Sequence, residues 1–372
     1  MRIVQIVTYV SIDAAFGGPV AVAVAQAIEL AACGHEVELL AGWDGLATLE
    51  APGVRVRLFR TNSLLPAAGF SGLVAPRLLA HVRANHQSYD SVHIHMSRDL
   101  ITLPVAMFLA SKRAKYVVQS HGTIVPDPRI RARIFDAIAV RRVLERATSV
   151  IAYRGVDDDA LRAVSRGKAS IEFLVNGVES GLMPLPNPAT AGEVLFMARL
   201  HPRKRVMAFA QMARLLVERG ISSRFVVVGP DEGDLAALRA FIATHAMLDL
   251  LSYEGAVPYD QVRDRLRRSA VYVLPSVNEP FPVTVLEAMA VGTPCVITDT
   301  CGLAPYFEED TAGLVTDGTP DKMAEAVESL ITDSALRDSV IKNAARTVEE
   351  RFGIGAVVET LLAYYRKELK LT

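Results

Sequence analysis

The sequence predicts an α/β protein of two doubly wound domains, each a parallel sheet with helices on both faces. Three observations predict it. Short β-branched runs alternate with helical stretches along the whole chain, the pattern of repeated βαβ units. Pro184, Pro186 and Pro188 crowd into one short segment, and the alternation restarts after them. The chain has 372 residues, too many for one ordinary core and suited to two domains. The expected boundaries are 1–180 for the first domain, 181–190 for a linker, 191–353 for the second domain and 354–372 for a closing helix that packs back on the first.

The first domain opens with a β-rich run, Arg2–Val10, and an apolar helix, Pro19–Ala32, with proline at its start. Further strands are expected at Glu36–Leu40, Val54–Arg60, Ser91–Met96, Tyr116–Ser120, Ser149–Ala152 and Ile171–Val175. Helices are expected at Pro76–Asn85, Leu100–Ala110 and Arg129–Arg146. The prolines after Gly181 restrict their own φ and that of the residue before each, so this segment reads as extended linker. Strands then recur at Val194–Ala198, Phe225–Val228, Val271–Leu274, Cys295–Thr298 and Gly313–Val315. Between them helices are expected at Lys204–Arg219, Asp234–His245, Tyr259–Arg268, Thr284–Val291 and Asp321–Leu330, with two more at Ala335–Arg351 and Ile354–Leu369.

Composition narrows the function classes. Net charge is −1, so nothing global points to nucleic acid. Residues 1–187 are slightly basic and the remainder slightly acidic. The three cysteines, Cys33, Cys295 and Cys301, form no C-x-x-C, and buried thiols in a reducing, cytoplasmic compartment are expected. Val20–Cys33 resembles a lipoprotein leader, but only Arg2 precedes it and Gln26 and Glu29 interrupt it, so a buried first helix is the better reading.

Open α/β sheets bind ligands beyond the carboxyl ends of their strands, so residues just after a strand are the ones to weigh. Arg199-Leu-His201-Pro-Arg203-Lys204 follows one strand, and Arg199 and Lys204 are expected to converge across a turn on one anion. Glu279-Pro-Phe281-Pro282-Val283-Thr284-Val-Leu-Glu287 follows another. Its prolines fix a loop, and the helix starting near Pro282 or Val283 offers free N–H groups to a diphosphate. Glu279 and Glu287 can then reach different parts of one ligand, a sugar's hydroxyls and a ribose diol. Acidic residues favour helix N-termini in any case, which accounts for Glu287 tolerably but not for Glu279 in a proline-locked loop. Gly17 and Gly18, after the first strand, permit close approach of backbone to a ligand; they form neither G-x-G-x-x-G nor a Walker loop. His121, followed by Gly122 at a strand end, balances evenly between a structural and a site role. His93 and His95 share a strand face without a matching carboxylate set and read as cleft-edge or packing residues.

Together these motifs resemble the family 4 retaining glycosyltransferases of GT-B fold. Glu279 to Glu287 matches that family's E-x7-E, and Arg199 to Lys204 its R-L-x-x-x-K. Gly17-Gly18 matches its N-terminal glycine pair, and Asn176-Gly177-Val178 its interdomain N-G-V. Gly229-Pro230 and Tyr253-Glu-Gly255 match elements that approach the base. Four positions depart: Arg205 where Gly is common, Pro282 where Gly is usual, Thr300-Cys301-Gly302-Leu303 where Gly-Gly is frequent, and no Trp near Phe352.

The resemblance implies two Rossmann-like domains facing across a cleft and a donor that is a nucleotide-diphosphate sugar, such as a UDP- or GDP-hexose, with no further cofactor. It implies that Arg199 and Lys204 neutralise the diphosphate, Glu287 holds the ribose, Glu279 holds the transferred sugar and His121 lies near that sugar. Phe281, Pro282, Val283 and Thr284 would contribute the loop and helix start around the donor. Two cations in place of an Asp-x-Asp element imply metal independence. The acceptor is expected to be a glycan or a lipid-linked molecule of cell-envelope synthesis. The arginines at 129, 131, 133, 141, 142 and 146 allow peripheral contact with an anionic membrane face, or are a solvated helix face with Asp136 and Glu145 as partners. Two rivals remain, a nucleotide-sugar epimerase of the same fold and a non-catalytic nucleotide-binding module.

Overall fold

The computed structural model describes all residues except 12–16, 66–68, 70, 128–129, 180–191, 259–260 and 371–372. Residues 181–190, expected as the linker, lie outside the described residues. By internal contacts the chain divides into two units. One takes the described residues of 1–177 together with 354–370, and the other those of 178–353.

The first unit contains β1 (Arg2–Val10), β2 (Glu36–Trp43), β3 (Arg55–Arg60), the short pair β4 (Asn62–Ser63) and β5 (Leu73–Val74), then β6 (Ser91–His95), β7 (Val117–Gln119), β8 (Ser149–Ala152) and β9 (Ile171–Phe173). Its main sheet runs β3-β2-β1-β6-β7-β8-β9, and every pairing in it is parallel. The second unit contains β10 (Glu193–Met197), β11 (Arg224–Val228), β12 (Leu251–Gly255), β13 (Ser269–Leu274), β14 (Cys295–Thr298) and β15 (Leu314–Thr316), ordered β12-β11-β10-β13-β14-β15 and again all parallel. Each sheet starts at its middle, runs outward one way, then crosses over and runs outward the other way. The crossover leaves a crevice at the strands' carboxyl ends, between β1 and β6 in one unit and between β10 and β13 in the other. Strands covered on both faces read as unbroken apolar runs, as in β13, buried at all six positions.

The last helix, Ile354–Lys370, packs on the first unit. Val357, Val358, Leu361, Leu362 and Tyr365 recur at helical spacing and bury against Ala27, Leu30, Ile3, Val117 and Ile151.

Several elements differ from the sequence expectation. The first helix begins at Gly17, so Gly17 and Gly18 open the helix rather than precede it. The helix expected from Lys204 begins at Val206. Lys204 ends a 3-10 turn, Pro202–Lys204, and Arg205 at φ 55° divides the two. A left-handed residue there explains why glycine suits this position. Arg205 instead sends its guanidinium beside Gly318, 2.6 Å from where a Cβ on that glycine would lie. Strand β12 and the helices Val156–Ser165 and Ala304–Asp310 were not anticipated. Cys33 is exposed, not buried.

The basic stretch is not one plain α-helix. It runs as Ile130–Phe135, a π-turn over Asp136–Val140, and Arg141–Arg146. Arg129 and the side chain of Arg131 lie outside the described residues. Asp136 answers Arg98, which donates from Nε and Nη2 at 2.8 and 2.7 Å, rather than an arginine of its own stretch. Arg141 and Arg146 donate to the carbonyls of Val164 and Ala110, so their main work is packing.

Candidate active site

Four loops meet at the carboxyl ends of β11, β10, β13 and β14. The β10 and β11 loops are laced by backbone bonds, Ala198 N–H to Val228 O and Leu200 N–H to Pro230 O, at 3.0 and 2.9 Å. Gly229 makes this possible. It sits at φ 142°, and a Cβ there would lie 2.0 Å from the Ala198 carbonyl oxygen. Its own carbonyl accepts from the Tyr253 hydroxyl at 2.9 Å, so Gly229 and Tyr253 are brought together as one edge of the site. Gly229→Ala is expected to destabilise the second unit by about 3 kcal/mol, because overpacking against main chain leaves no flexible group to give way. Denaturant unfolding measures this, and an unchanged midpoint would refute the close approach.

The cations are each matched to a separate carboxylate. Arg199 Nη1 donates to both oxygens of Glu232 at 2.8 and 2.9 Å. Lys204 Nζ donates to Glu279 Oε2 at 2.5 Å, with Arg203 Nη2 3.8 Å from the same oxygen. Arg199 and Lys204 thus each stand with a glutamate of their own, and Glu232 and the Arg203 contact to Glu279 are neighbours of the expected residues that the sequence did not point to. Glu232 was discoverable in principle, because it lies in the loop after β11 and parallel neighbours bring their following loops side by side. The Lys204 side chain is only 12% exposed. Burial lowers its pKa, Glu279 opposes that, and the nearby Arg203 and Arg199 add to the lowering.

The Glu279 loop is gripped on two sides. Val277 N–H donates to Arg203 O at 3.0 Å on the β10 side. On the β14 side, Gly302 N–H donates to Glu279 O at 2.8 Å, and a Cβ on Gly302 would fall 1.9 Å from Pro280 O. One glycine thus suffices in Thr300–Leu303. The helix Val283–Ala290 then starts with Pro282 as its N-cap at extended φ, ψ, and the first N–H groups of any helix lack partners within it. Glu287 is buried one turn in.

Two residues expected at the donor turn inward with their side chains. The Phe281 ring is buried edge-on against Phe352, which in turn meets Tyr306 edge-on. The Thr284 hydroxyl pairs with the Tyr272 hydroxyl at 2.9 Å. Tyr272 also donates to Met197 O, tying β13 to β10 across the crevice floor, and burial raises its pKa.

In the first unit, His121 follows β7 and is engaged at both ring nitrogens. Nε2 lies 2.8 Å from His95 Nδ1, and Nδ1 lies 3.3 Å from the Tyr153 hydroxyl. His93 stacks on His95, and its Nδ1 lies 2.7 Å from the Tyr365 hydroxyl. Burial pushes His93 and His121 down to about 3, and His95 well below 6.5, so all three are neutral at physiological pH. His93 and His95 are interior packing residues, as one of the two sequence readings held. Gly17 and Gly18 follow β1 at the other crossover, and Gly18 has open space around it.

A family profile described as "Glycosyl transferase 4-like domain" matches residues 17–177, and one described as "Glycosyl transferases group 1" matches residues 184–347. The chain is a group 1 glycosyltransferase. This glycosyltransferase is 27% identical over 371 aligned positions to "D-inositol 3-phosphate glycosyltransferase" of Kineococcus radiotolerans, covering 86% of this chain and 82% of that protein. It is 30% identical to "Alpha-D-kanosaminyltransferase" of Streptomyces kanamyceticus over 47% of this chain and 45% of that one, so that alignment spans under half of the relative. Among solved structures, Anabaena HepE in complex with UDP-glucose superposes with a TM-score of 0.74 at 18% identity, covering 99% of this chain and 100% of that one. Sucrose-phosphate synthase from Thermosynechococcus elongatus gives 0.73 at 17%, covering 100% of both. The fold of this glycosyltransferase is GT-B.

Proposed function

We propose that this glycosyltransferase moves a hexose from a nucleotide-diphosphate donor, such as a UDP- or GDP-hexose, to a glycan or lipid-linked acceptor of the cell envelope, with retention at the anomeric carbon and without a metal ion. The observation that carries the reading is the Lys204–Glu279 pair, with Arg199 and the start of the helix Val283–Ala290, at the β10/β13 crossover. As the glycosidic bond breaks, negative charge grows on the departing diphosphate. Lys204 has three donor hydrogens and can serve a phosphate oxygen while keeping Glu279. Preorganised cations and helix N–H groups stabilise such charge without reorganisation. In this reading Arg199 joins Lys204 on the diphosphate, Glu279 holds the sugar, Glu287 the ribose, and Gly229 and Tyr253 border the base. The Anabaena neighbour's complex with UDP-glucose supports a nucleotide-sugar donor.

A thermal-shift screen of UDP-, GDP- and ADP-hexoses tests this, since a ligand held about 100-fold above its Kd stabilises the native state by about 2.7 kcal/mol. One nucleotide class should raise Tm, in EDTA as well as without it. No shift with any donor would sink the donor reading, EDTA-sensitive transfer would sink metal independence, and acceptor-free isomerisation would mark an epimerase.

The peripheral membrane contact belongs to the same proposal. Ile130 and Ile138 are 73% and 66% exposed, with Arg133 and Arg142 exposed beside them in the basic stretch. A π-turn winds less per residue than an α-helix, which draws Ile138 back toward the face of Ile130. Among the described residues no helix is long and apolar enough to cross a membrane. Sedimentation with phosphatidylglycerol vesicles but not with phosphatidylcholine vesicles is expected, and Ile130→Ser/Ile138→Ser should abolish it; equal binding to both vesicle types would refute it.

A further inference from the structure

His121 and Gly122 have φ values of 53° and 70°, two left-handed residues in succession. Thr123 N–H closes the turn on Ser120 O at 3.0 Å, and the Thr123 hydroxyl donates to the same oxygen at 2.7 Å. A left-handed conformation costs a residue with a Cβ about 1–2 kcal/mol. Such backbone persists only where its surroundings over-determine it.

One carboxylate supplies much of that constraint. Asp157, in the first turn of the helix Val156–Ser165, is 2% exposed. Its Oδ1 accepts from the Ser120 hydroxyl at 3.0 Å and its Oδ2 from Tyr153 N–H at 2.9 Å. It also accepts the main-chain N–H of Gly122. The residue before His121, the residue after it, and the backbone of the tyrosine that touches its ring all end on this one side chain.

The ring contacts fix a tautomer. The Tyr153 hydroxyl donates to Asn176 Oδ1 at 2.8 Å, so its oxygen is the acceptor toward His121. His121 Nδ1 therefore carries the hydrogen, and Nε2 accepts from His95 Nδ1–H.

We infer that Asp157 is the positioning residue for His121: its carboxylate clamps Ser120, Gly122 and Tyr153, and so holds the left-handed turn and the Nδ1–H form of the ring. Only the activity readout rests on the proposed role of His121 near the transferred sugar; the clamp itself does not.

The test uses the full chain with Asp157→Asn, which keeps size but presents an NH2 group toward donors that need an acceptor. In 15N-histidine NMR at neutral pH, wild-type His121 should appear as the Nδ1–H tautomer alone, and the variant as a mixture. Transfer should fall about 10–100-fold in kcat, with the donor KM nearly unchanged, because a displaced group costs rate rather than donor affinity. In a His121→Gly background the same substitution should cost nothing further in rate. If Asp157→Asn does not fold, Ser120→Ala removes one of the three bonds and should shift the tautomer in the same direction. An unchanged His121 tautomer, or losses that simply add in the double variant, overturns the inference. If His121→Ala transfers at the wild-type rate, the catalytic reading of His121 fails, and the NMR result still decides the clamp.

Discussion

Lys204→Ala is expected to slow transfer by about 10²–10³-fold, the usual cost of removing one preorganised group that stabilises charge developed in the transition state. The loss should appear in kcat as well as in kcat/KM, because the lysine acts on charge that grows as the bond to the diphosphate breaks. A second consequence follows from burial. The Lys204 and Glu279 side chains are 12% and 10% exposed, so the alanine leaves a nearly buried carboxylate with only the half-exposed Arg203 guanidinium, 3.8 Å away, to answer it. Breaking such a pair from one side costs about 3–5 kcal/mol. Glu279→Gln in the Lys204→Ala background should recover much of that stability, since the amide needs no counter-charge, without restoring transfer. Stopped-flow or steady-state transfer assays with denaturant unfolding separate the two effects. Transfer at the wild-type rate in Lys204→Ala would remove the lysine from the mechanism.

Acid should unfold the first unit well before ordinary carboxylate titration accounts for it. His93, His95 and His121 are held neutral by burial, with folded pKa values of about 3 for His93 and His121 and one well below 6.5 for His95, against 6.5 for an ordinary histidine. Between pH 6.5 and 3 the unfolded chain takes up protons at these sites that the folded chain refuses. Stability is therefore complete above pH 6.5 and declines as pH falls. Each site contributes a slope of about 1.4 kcal/mol per pH unit, so the three together give about 4 kcal/mol per unit at full separation. Trp43, the single tryptophan, lies in β2 of this unit and reports its unfolding by fluorescence. Urea midpoints across pH 7 to 5 should fall steeply, and His93→Gln with His95→Gln should flatten the slope by about two-thirds. A pH-independent midpoint over that range would show that the imidazoles are not buried neutral.

The sequence by itself determined a great deal. Alternating β-branched runs and helices fixed two parallel sheets, since strands buried on both faces need apolar side chains at every position. The restart after Pro188 separated two series of βαβ units, and the i, i+3/i+4 spacing in 354–369 marked a helix with one buried face. The placing of Arg199, Lys204 and Glu279 in loops at the carboxyl ends of strands, and of Glu287 in the helix that follows, was legible because each comes after a β-rich run and chain direction sets which end of the sheet its loop occupies. Elements with weaker local signatures escaped: β12 ends in Tyr253-Glu254-Gly255, and the helix Val156–Ser165 begins with three aspartates.

What only the tertiary structure decided was pairing. Arg199 with Glu232, Lys204 with Glu279, and Asp157 with the His121 turn each join residues distant in sequence, and no periodicity carries information about which strands become neighbours. The strand orders, with β10 beside β13 and β1 beside β6, brought those residues together. Burial was settled at the same level. A histidine that is an ordinary base in an unfolded chain becomes a neutral group here once it is buried against another imidazole, because the cost of charging it depends on what surrounds it and not on its neighbours in sequence.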